Sequence, residues 1–102
     1  MTLDLTDAAI DDLRKIREYT LQNWGTHQEE LYLTGIWHRF SEVLENPERF
    51  RLREDLFPGC RIAAYQSHII LFRVETNTLE VMRVLHGAMD VSRHLPKNLE
   101  RE

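Results

Sequence analysis

The sequence is poor in cysteine and in positive charge, and it has no long apolar run. Its 102 residues include one cysteine, Cys60, which excludes an internal disulfide framework and a zinc site built from several cysteines. The longest purely apolar run, Ile69–Phe72, is far too short to span a membrane. Lys and Arg number 13 against 17 Asp and Glu, which gives a formal net charge of −4. Nucleic-acid-binding domains usually carry a strong positive field, so we expect no direct binding to nucleic acid.

The composition is that of one globular domain over residues 1–102, with residues 97–102 expected to form a frayed tail. Apolar residues make up 42% and charged residues 29%, without a long block of like charge, which excludes wholesale disorder. Asp4, Asp7, Asp11 and Asp12 lie where a signal peptide would be basic and then apolar. We therefore expect a cytoplasmic protein with no membrane association.

The first half of the sequence predicts two amphipathic helices. Thr6 is the predicted N-cap of a helix over residues 7–24, in which apolar residues recur at spacings of three and four, and Gly25 ends it. Thr26-His27-Gln28-Glu29 fits a capping box that starts a second helix, which Asn46-Pro47 ends. Because so short a link joins them, the two helices should form an antiparallel hairpin.

The remaining segments predict strands. Leu3 and Leu5 alternate with polar residues, as in a short N-terminal edge strand. The other predicted strands are Cys60–Gln66, Ile69–Glu75 and Leu79–Leu85, separated by turns at Ser67-His68 and Thr76–Thr78, with a helical turn over Asp90–Leu95. The expected fold class is α+β: an N-terminal strand and a helical hairpin packed on one face of an antiparallel β-sheet meander.

An ordered set of short segments over residues 3–95 resembles one family. These segments are Ala9-x-x-Asp12-Leu13-x-x-Ile16-x-x-Tyr19-Thr20-x-x-x-Trp24-Gly25, Tyr32-Leu33, Glu45-Asn46-Pro47, Pro58-Gly59-x-Arg61, Ser67–Val74 and Val81-x-Arg83-Val84-Leu85-His86-Gly87-x-x-Asp90. Together they resemble the ParE branch of the RelE/ParE superfamily, whose members are toxins of bacterial type II toxin–antitoxin modules.

The resemblance implies the fold given above and a toxin that is neutralised by an antitoxin. ParE proteins act on DNA gyrase and are neutralised by a ParD-like antitoxin, whereas RelE-like relatives cleave mRNA on the ribosome. It also implies a hetero-oligomer of two toxins with two antitoxins, or a larger one. We therefore expect a gyrase inhibitor that acts by binding, is not an enzyme and has no catalytic residues.

The residues disfavour the nuclease branch. RNA cleavage needs clustered Lys, Arg, His or Tyr on the sheet to activate a ribose hydroxyl and to offset phosphate charge. Two basic residues alternate on the strand entering the sheet in RelE-like enzymes; here Arg61 is followed by Ala63. RelE-like relatives have a further basic residue early in the central strand, and the corresponding position here is near Ile69. They also carry a basic segment that ends in an aromatic residue after the last strand, and here Gly87–Asp90 stands in its place. An mRNA-cleaving toxin with a rearranged site and a non-toxic antitoxin-binding module remain as alternatives.

Charge is unevenly distributed and supplies candidates for target binding. Residues 1–48 hold ten acids and four bases, whereas residues 49–102 hold seven acids and nine bases. The candidates for target binding are Arg61, Arg73, Arg83, His86 and Asp90. The arginines either form a basic patch for gyrase or for an acidic antitoxin tail, or they pair with Glu75 and Glu80 across the strands. Arg83 is the first choice because it lies in the most family-like segment.

His86 and Asp90 also suggest a base and its orienting carboxylate. No nucleophile accompanies them, so the favoured interpretation is structural: His86 caps the last strand and Asp90 starts the final turn. The other histidines, His27, His38, His68 and His94, are not spaced as metal ligands, so no metal and no cofactor are expected. Cys60 is expected to be buried rather than reactive.

A second set of candidates concerns antitoxin binding. It comprises Trp24, Tyr32, Leu33, Trp37, Phe40, Arg61 and Tyr65. For Trp24, Tyr32 and Trp37 the default interpretation is packing in the core. The alternative is a groove that receives the apolar face of an antitoxin helix, because aromatic anchors contribute disproportionately to binding energy.

Overall fold

The computed structural model describes residues 1–88 and 91–95, apart from the side chain of Ser92. The strands are β1 (Thr2–Leu5), β2 (Arg51–Leu52), β3 (Arg61–Tyr65), β4 (His68–Glu75) and β5 (Thr78–His86), and the helices are α1 (Asp7–Trp24), α2 (Thr26–Glu45) and two 3-10 helices, Pro47–Arg49 and Val91–His94. No helix in this part of the chain is long and apolar enough to cross a membrane. Asp90 and the expected frayed tail lie outside the described residues.

A five-stranded sheet with the order β1-β5-β4-β3-β2 carries the helical hairpin on one face. Strands β3, β4 and β5 form the predicted antiparallel meander. β1 adds to the outer edge of β5 in parallel, with Leu3 opposite Leu79, so the sheet is mixed. The predicted α+β class is therefore confirmed, and the two-residue strand β2, which the sequence did not predict, extends the other edge through Leu52 and Arg61.

Helix α1 has the predicted bounds and the predicted cap. The Thr6 hydroxyl accepts a hydrogen bond from the Ala9 backbone N–H at 3.0 Å and donates one to the Met82 carbonyl at 2.7 Å, which fixes the start of α1 to β5. Gly25 ends the helix at a φ of 89°, in the left-handed region that favours glycine.

The predicted capping box at the start of α2 is wrong. Gly25 is the N-cap of α2, and its carbonyl accepts from the Glu29 backbone N–H. Because one glycine serves both helices, Thr26 is already helical and is not the cap. The Glu29 carboxylate instead lies 3.8 Å from Arg17 across the hairpin.

The turn between β3 and β4 lies one residue earlier than predicted. Tyr65 pairs with His68, so the turn residues are Gln66 and Ser67, and Gln66 takes a φ of 49°. As a consequence His68 belongs to β4 and stands opposite His86 of β5. The pairing of β4 with β5 also slips between Leu71 and Phe72.

The two faces of the sheet are covered differently. Helices α1 and α2 pack on one face around Ala9, Ile36, Phe40 and strand residues such as Phe72. The other face is covered by the loop after β2 and by the 3-10 helix Val91–His94 with the residue after it. This second cluster consists of Leu56, Phe57, Cys60, Leu71, Met82, Leu85 and Leu95.

Candidate functional site

A groove of about 790 Å³ lies where α1, the start of α2, the β3–β4 turn and the end of β5 meet. Side chains with chemical or binding potential line it from all of these elements. They include Tyr19, Trp24, Tyr32, His68, Arg83 and His86. The volume falls in the range typical of ligand sites, and the mixture of aromatic and polar groups suits recognition of a specific partner.

A buried ion pair forms one wall of this groove. The Asp12 side chain is only 7% exposed and accepts two hydrogen bonds from Arg83, from Nε at 2.7 Å and from Nη2 at 2.8 Å. It also accepts the Val84 backbone N–H at 2.9 Å, at a part of β5 that lies beyond its pairing with β1. The hydrogen bonds that Arg83 donates to the Asp12 carboxylate raise the pKa of Arg83. Nη1 of Arg83 donates to the His94 carbonyl, so the pair joins α1, β5 and the 3-10 helix.

The groove also holds a contact chain of Tyr32, His68 and His86. The Tyr32 hydroxyl lies 2.7 Å from Nδ1 of His68, and the His68 and His86 rings meet edge to face with centroids 5.4 Å apart. Burial raises the pKa of Tyr32, while hydrogen bonds from Ser67 partly offset this. Burial and, to a smaller extent, the neighbouring His86 lower the pKa of His68. At neutral pH Tyr32 therefore keeps its proton and His68 is uncharged.

A glycine in α2 makes room for an aromatic side chain of β3. A Cβ atom on Gly35 would lie 1.7 Å from the Tyr65 hydroxyl oxygen, so Tyr65 rests directly against the helix backbone. From there its ring contacts Tyr32 edge to face, with centroids 5.2 Å apart. Tyr65 and Tyr32 were predicted from the sequence as antitoxin-binding candidates, but Gly35 was not. Gly35 leaves space for Tyr65 to pack against the α2 backbone beside Tyr32.

The aromatic candidates differ in exposure. Trp24 is 69% exposed and Trp37 is 46% exposed, so the default expectation of core packing is wrong for Trp24 and only partly right for Trp37, which packs edge to face on Phe40. Trp24 is the last residue of α1, where the chain turns and nothing described covers it. Phe40 is buried in the core, and Leu33 packs against it only partly buried. Tyr19, at 63% exposed, is a groove residue that sequence analysis did not select.

The three candidate arginines do not form a common patch. Arg61 donates to the Phe50 carbonyl at 2.8 Å. Arg73 lies 3.4 Å from Glu80 of β5, which supports the cross-strand alternative for this arginine, and 3.6 Å from Glu75 of its own strand. Arg83 is held by Asp12. Arg61 stands opposite Phe72 in the register of β3 and β4, so it lies on the other face of the sheet from Arg73, and Arg83 is bonded to α1 through Asp12.

His86 and Cys60 have the structural roles expected of them. His86 is the last residue of β5, and its Nδ1 accepts the Ala88 backbone N–H at 3.1 Å. Cys60 is fully buried, and burial raises the pKa of its thiol to about 12. Among residues 1–88 and 91–95 the structure contains no group of three or more His, Cys, Asp or Glu that could hold a metal ion.

Asp12 holds one wall of the groove in place, and the sequence pattern identified it only as part of a motif. It lies three residues after Ala9 and four before Ile16, on the apolar stripe of α1. An acidic residue on such a stripe must have a buried partner, and this pattern was the available signal. The partner, Arg83, is 71 residues away, so spacing could not identify it.

Comparison with known proteins gives consistent results. Residues 3–91 match the family described as the ParE toxin of the type II toxin–antitoxin system parDE. A protein named Toxin ParE1 from Mycobacterium tuberculosis is 37% identical over 92 residues, covering 89% of this chain and 94% of that protein. Toxin ParE from Escherichia coli is 31% identical over 98 residues, covering 94% of both.

Solved structures show the same fold. A chain of the chromosomal ParDE system from P. aeruginosa superposes with a TM-score of 0.74 at 19% identity, covering 84% of this chain and 95% of that one. The isolated E. coli RelE toxin superposes with a TM-score of 0.58 at 21% identity, covering 92% and 98%. Sequence identities this low show a shared fold and do not show a shared activity.

Proposed function

The chain belongs to the ParE toxin family of type II toxin–antitoxin systems, and from this premise we propose that it inhibits DNA gyrase by binding to it. A toxin of such a system has an antitoxin as its partner. We propose that this antitoxin is ParD-like and that toxin and antitoxin form a hetero-oligomer in the cytoplasm. The toxin then performs no covalent chemistry, and its effect on gyrase is stoichiometric.

The covering of the sheet supports binding over RNA cleavage. An RNA-cleaving site would need several basic or acid–base groups on an open sheet surface. In this protein the face away from the helices is packed with apolar side chains such as Phe57, Leu71 and Leu95. Each candidate arginine is already bonded to a carboxylate or a backbone carbonyl. This packed face is the observation on which the proposed mechanism rests most heavily.

Expression in cells tests the function. The toxin is induced in bacteria with and without a ParD-like antitoxin, while a reporter of DNA damage and the integrity of cellular mRNA are followed together. Gyrase poisoning predicts growth arrest, an activated damage reporter and intact mRNA, all reversed by the antitoxin. Cleaved ribosome-bound mRNA with a silent reporter would contradict the proposal, and normal growth of cells holding folded toxin would indicate a non-toxic binding module.

The exposed aromatic residues at the rim of the groove, Tyr19 and Trp24, are the proposed antitoxin contact. Trp24→Ala should weaken antitoxin binding tenfold or more, because exposed aromatic residues beside a groove are typical hot spots. Leu31→Ala is the matched control, since Leu31 is 54% exposed on α2 and does not line the groove. Titration calorimetry measures both affinities, and thermal unfolding verifies that both variants fold. Equal affinities for the two variants would place the antitoxin elsewhere.

A further inference from the structure

Two neighbouring histidines line the groove and have no role in the proposed inhibition of gyrase. His68 and His86 are direct partners in the register of β4 and β5, and both line the groove. His68 is half-buried and His86 is exposed, so a partner in the groove can reach the pair. An edge-to-face arrangement with an interplanar angle of 79° gives the two rings different orientations.

Hydrogen bonds determine which ring nitrogens carry protons. Tyr32 keeps its proton at neutral pH, and we assign this proton to the hydrogen bond with Nδ1 of His68, 2.7 Å away. Nδ1 of His86 accepts the Ala88 backbone N–H. A neutral imidazole has one N–H, so each ring then carries it on Nε2. The pair therefore presents two Nε2–H donors, and the same pattern leaves no lone pair on Nε2 for a metal ion.

The surroundings of the pair favour an anionic ligand. Its titratable and charged neighbours in the groove are Asp12, Lys15 and Tyr19 from α1, Tyr32 from α2, Arg83 from β5 and His94 from the 3-10 helix. Among the described residues that line the groove, the one carboxylate is that of Asp12, and Arg83 and the Val84 N–H occupy it. Lys15 pairs with Asp11 at 3.2 Å. The two histidines thus present donors to a ligand with no unoccupied carboxylate lining the described groove beside them, whereas the chain as a whole is acidic.

We infer that the groove receives an acidic segment of the antitoxin, with a carboxylate on the His68–His86 pair and an apolar side chain on Tyr19 and Trp24. A nucleic acid would also offer anionic oxygens, but the net charge of −4 and the acidic start of α1 oppose it. The inference rests on the proposed function for the identity of the partner. It adds the chemistry of the segment that the groove selects.

Binding of this kind is linked to protonation. A carboxylate on Nε2 of His68 stabilises its imidazolium, and the Tyr32 hydroxyl can turn to accept the new Nδ1 proton, so the complex takes up a proton at His68 when it forms. At His86 the Ala88 N–H occupies Nδ1, so this residue contributes its Nε2–H donor alone. Because the pKa of free His68 is lowered, this residue binds less of a proton before the complex forms and can take up more on binding. Affinity for an acidic segment should therefore rise as the pH falls from 8 to 6, and the limit, reached only below the pKa of free His68, is about tenfold for each unit by which binding raises that pKa.

Titration calorimetry with synthetic peptides tests the inference. The probe is a short capped peptide of alternating Glu and Leu, and its counterpart with Gln in place of Glu is the control ligand. The wild-type protein should bind the Glu peptide severalfold more tightly at pH 6 than at pH 8, with the Gln peptide weak and insensitive to pH. The H68Q/H86Q variant should lose the pH dependence, and H38Q, which changes an exposed histidine outside the groove, should keep it.

Several results would overturn the inference. These are equal binding of the two peptides, no binding at millimolar peptide, or an unchanged pH dependence in H68Q/H86Q. Tighter binding of a short oligothymidylate than of the Glu peptide would replace the acidic segment by a nucleic acid. The comparison of peptides on the wild-type protein stands even if a variant fails to fold. Gyrase inhibition is measured without peptide, so failure of this inference and failure of the proposed function give different results.

Discussion

Removing the Asp12 carboxylate should destabilise the fold strongly. In Asp12→Ala three hydrogen bonds are lost together, two from Arg83 and one from the Val84 backbone N–H. The Arg83 guanidinium, whose side chain is 19% exposed, then stays partly buried without its counterion. Breaking a buried pair in this way costs about 3–5 kcal/mol.

The expected loss of unfolding free energy corresponds to a large fall in the melting temperature. For a domain of this size each 1 kcal/mol lowers the melting temperature by about 4–8 °C, so Asp12→Ala should lower it by about 12 °C or more. Asp11→Ala is the matched control, because Asp11 is the neighbouring residue and is half-exposed in pairs with Arg14 and Lys15. Exposed pairs contribute about 0–1 kcal/mol, so this control should shift little.

Urea unfolding of Asp12→Ala and Asp11→Ala, of the single variants Asp12→Asn and Arg83→Met, and of the double variant that combines the last two measures the effect. In Asp12→Asn/Arg83→Met both charges are absent, and the loss should be smaller than the sum of the two single losses. Equal losses for Asp12→Ala and Asp11→Ala, or additive losses in the double variant, would refute the assignment of a buried structural pair. Arg83 would then regain its place as the first candidate for gyrase contact.

Three further predictions concern single sites. Gly35→Ala should cost about 1–3 kcal/mol through collision with Tyr65, and in a Tyr65→Ala background its sign should reverse, as urea unfolding would show. Cys60, with a thiol pKa of about 12 against an ordinary 9.0, should have about a thousandfold less thiolate than a free thiol at pH 8; rapid labelling by a disulfide reagent without urea would contradict its burial. The lowered pKa of His68 means that the unfolded chain binds its proton more tightly, so stability should be full above about pH 6.5 and fall below it; an equal fall in His68→Gln would refute this.

Local signals predicted most of the architecture. The bounds of α1 follow from its apolar spacing, the Thr6 cap and Gly25, all of which act within a few residues. The meander follows in the same way from short turns between β-branched runs. The capping box at Thr26 failed because it competed with a stronger local arrangement, in which Gly25 alone caps both helices.

Features that depend on distant contacts were beyond sequence reasoning. The parallel pairing of β1 with β5 joins residues 76 apart, and the partner of Asp12 lies 71 residues away. The slip near Leu71 is a property of paired strands and has no signature in one strand. Exposure of Trp24 depends on where α2 packs, so its place at the groove rim became visible only in three dimensions.

The most direct test of the central claim uses purified gyrase, plasmid DNA and ATP, with antitoxin-free toxin titrated into a supercoiling and DNA-cleavage assay. Inhibition of gyrase by binding predicts loss of supercoiling with accumulation of gyrase–DNA cleavage complexes, and reversal when a ParD-like antitoxin is added first. Unchanged supercoiling by well-folded toxin at a molar excess over gyrase, together with cleavage of mRNA on purified ribosomes, would contradict it.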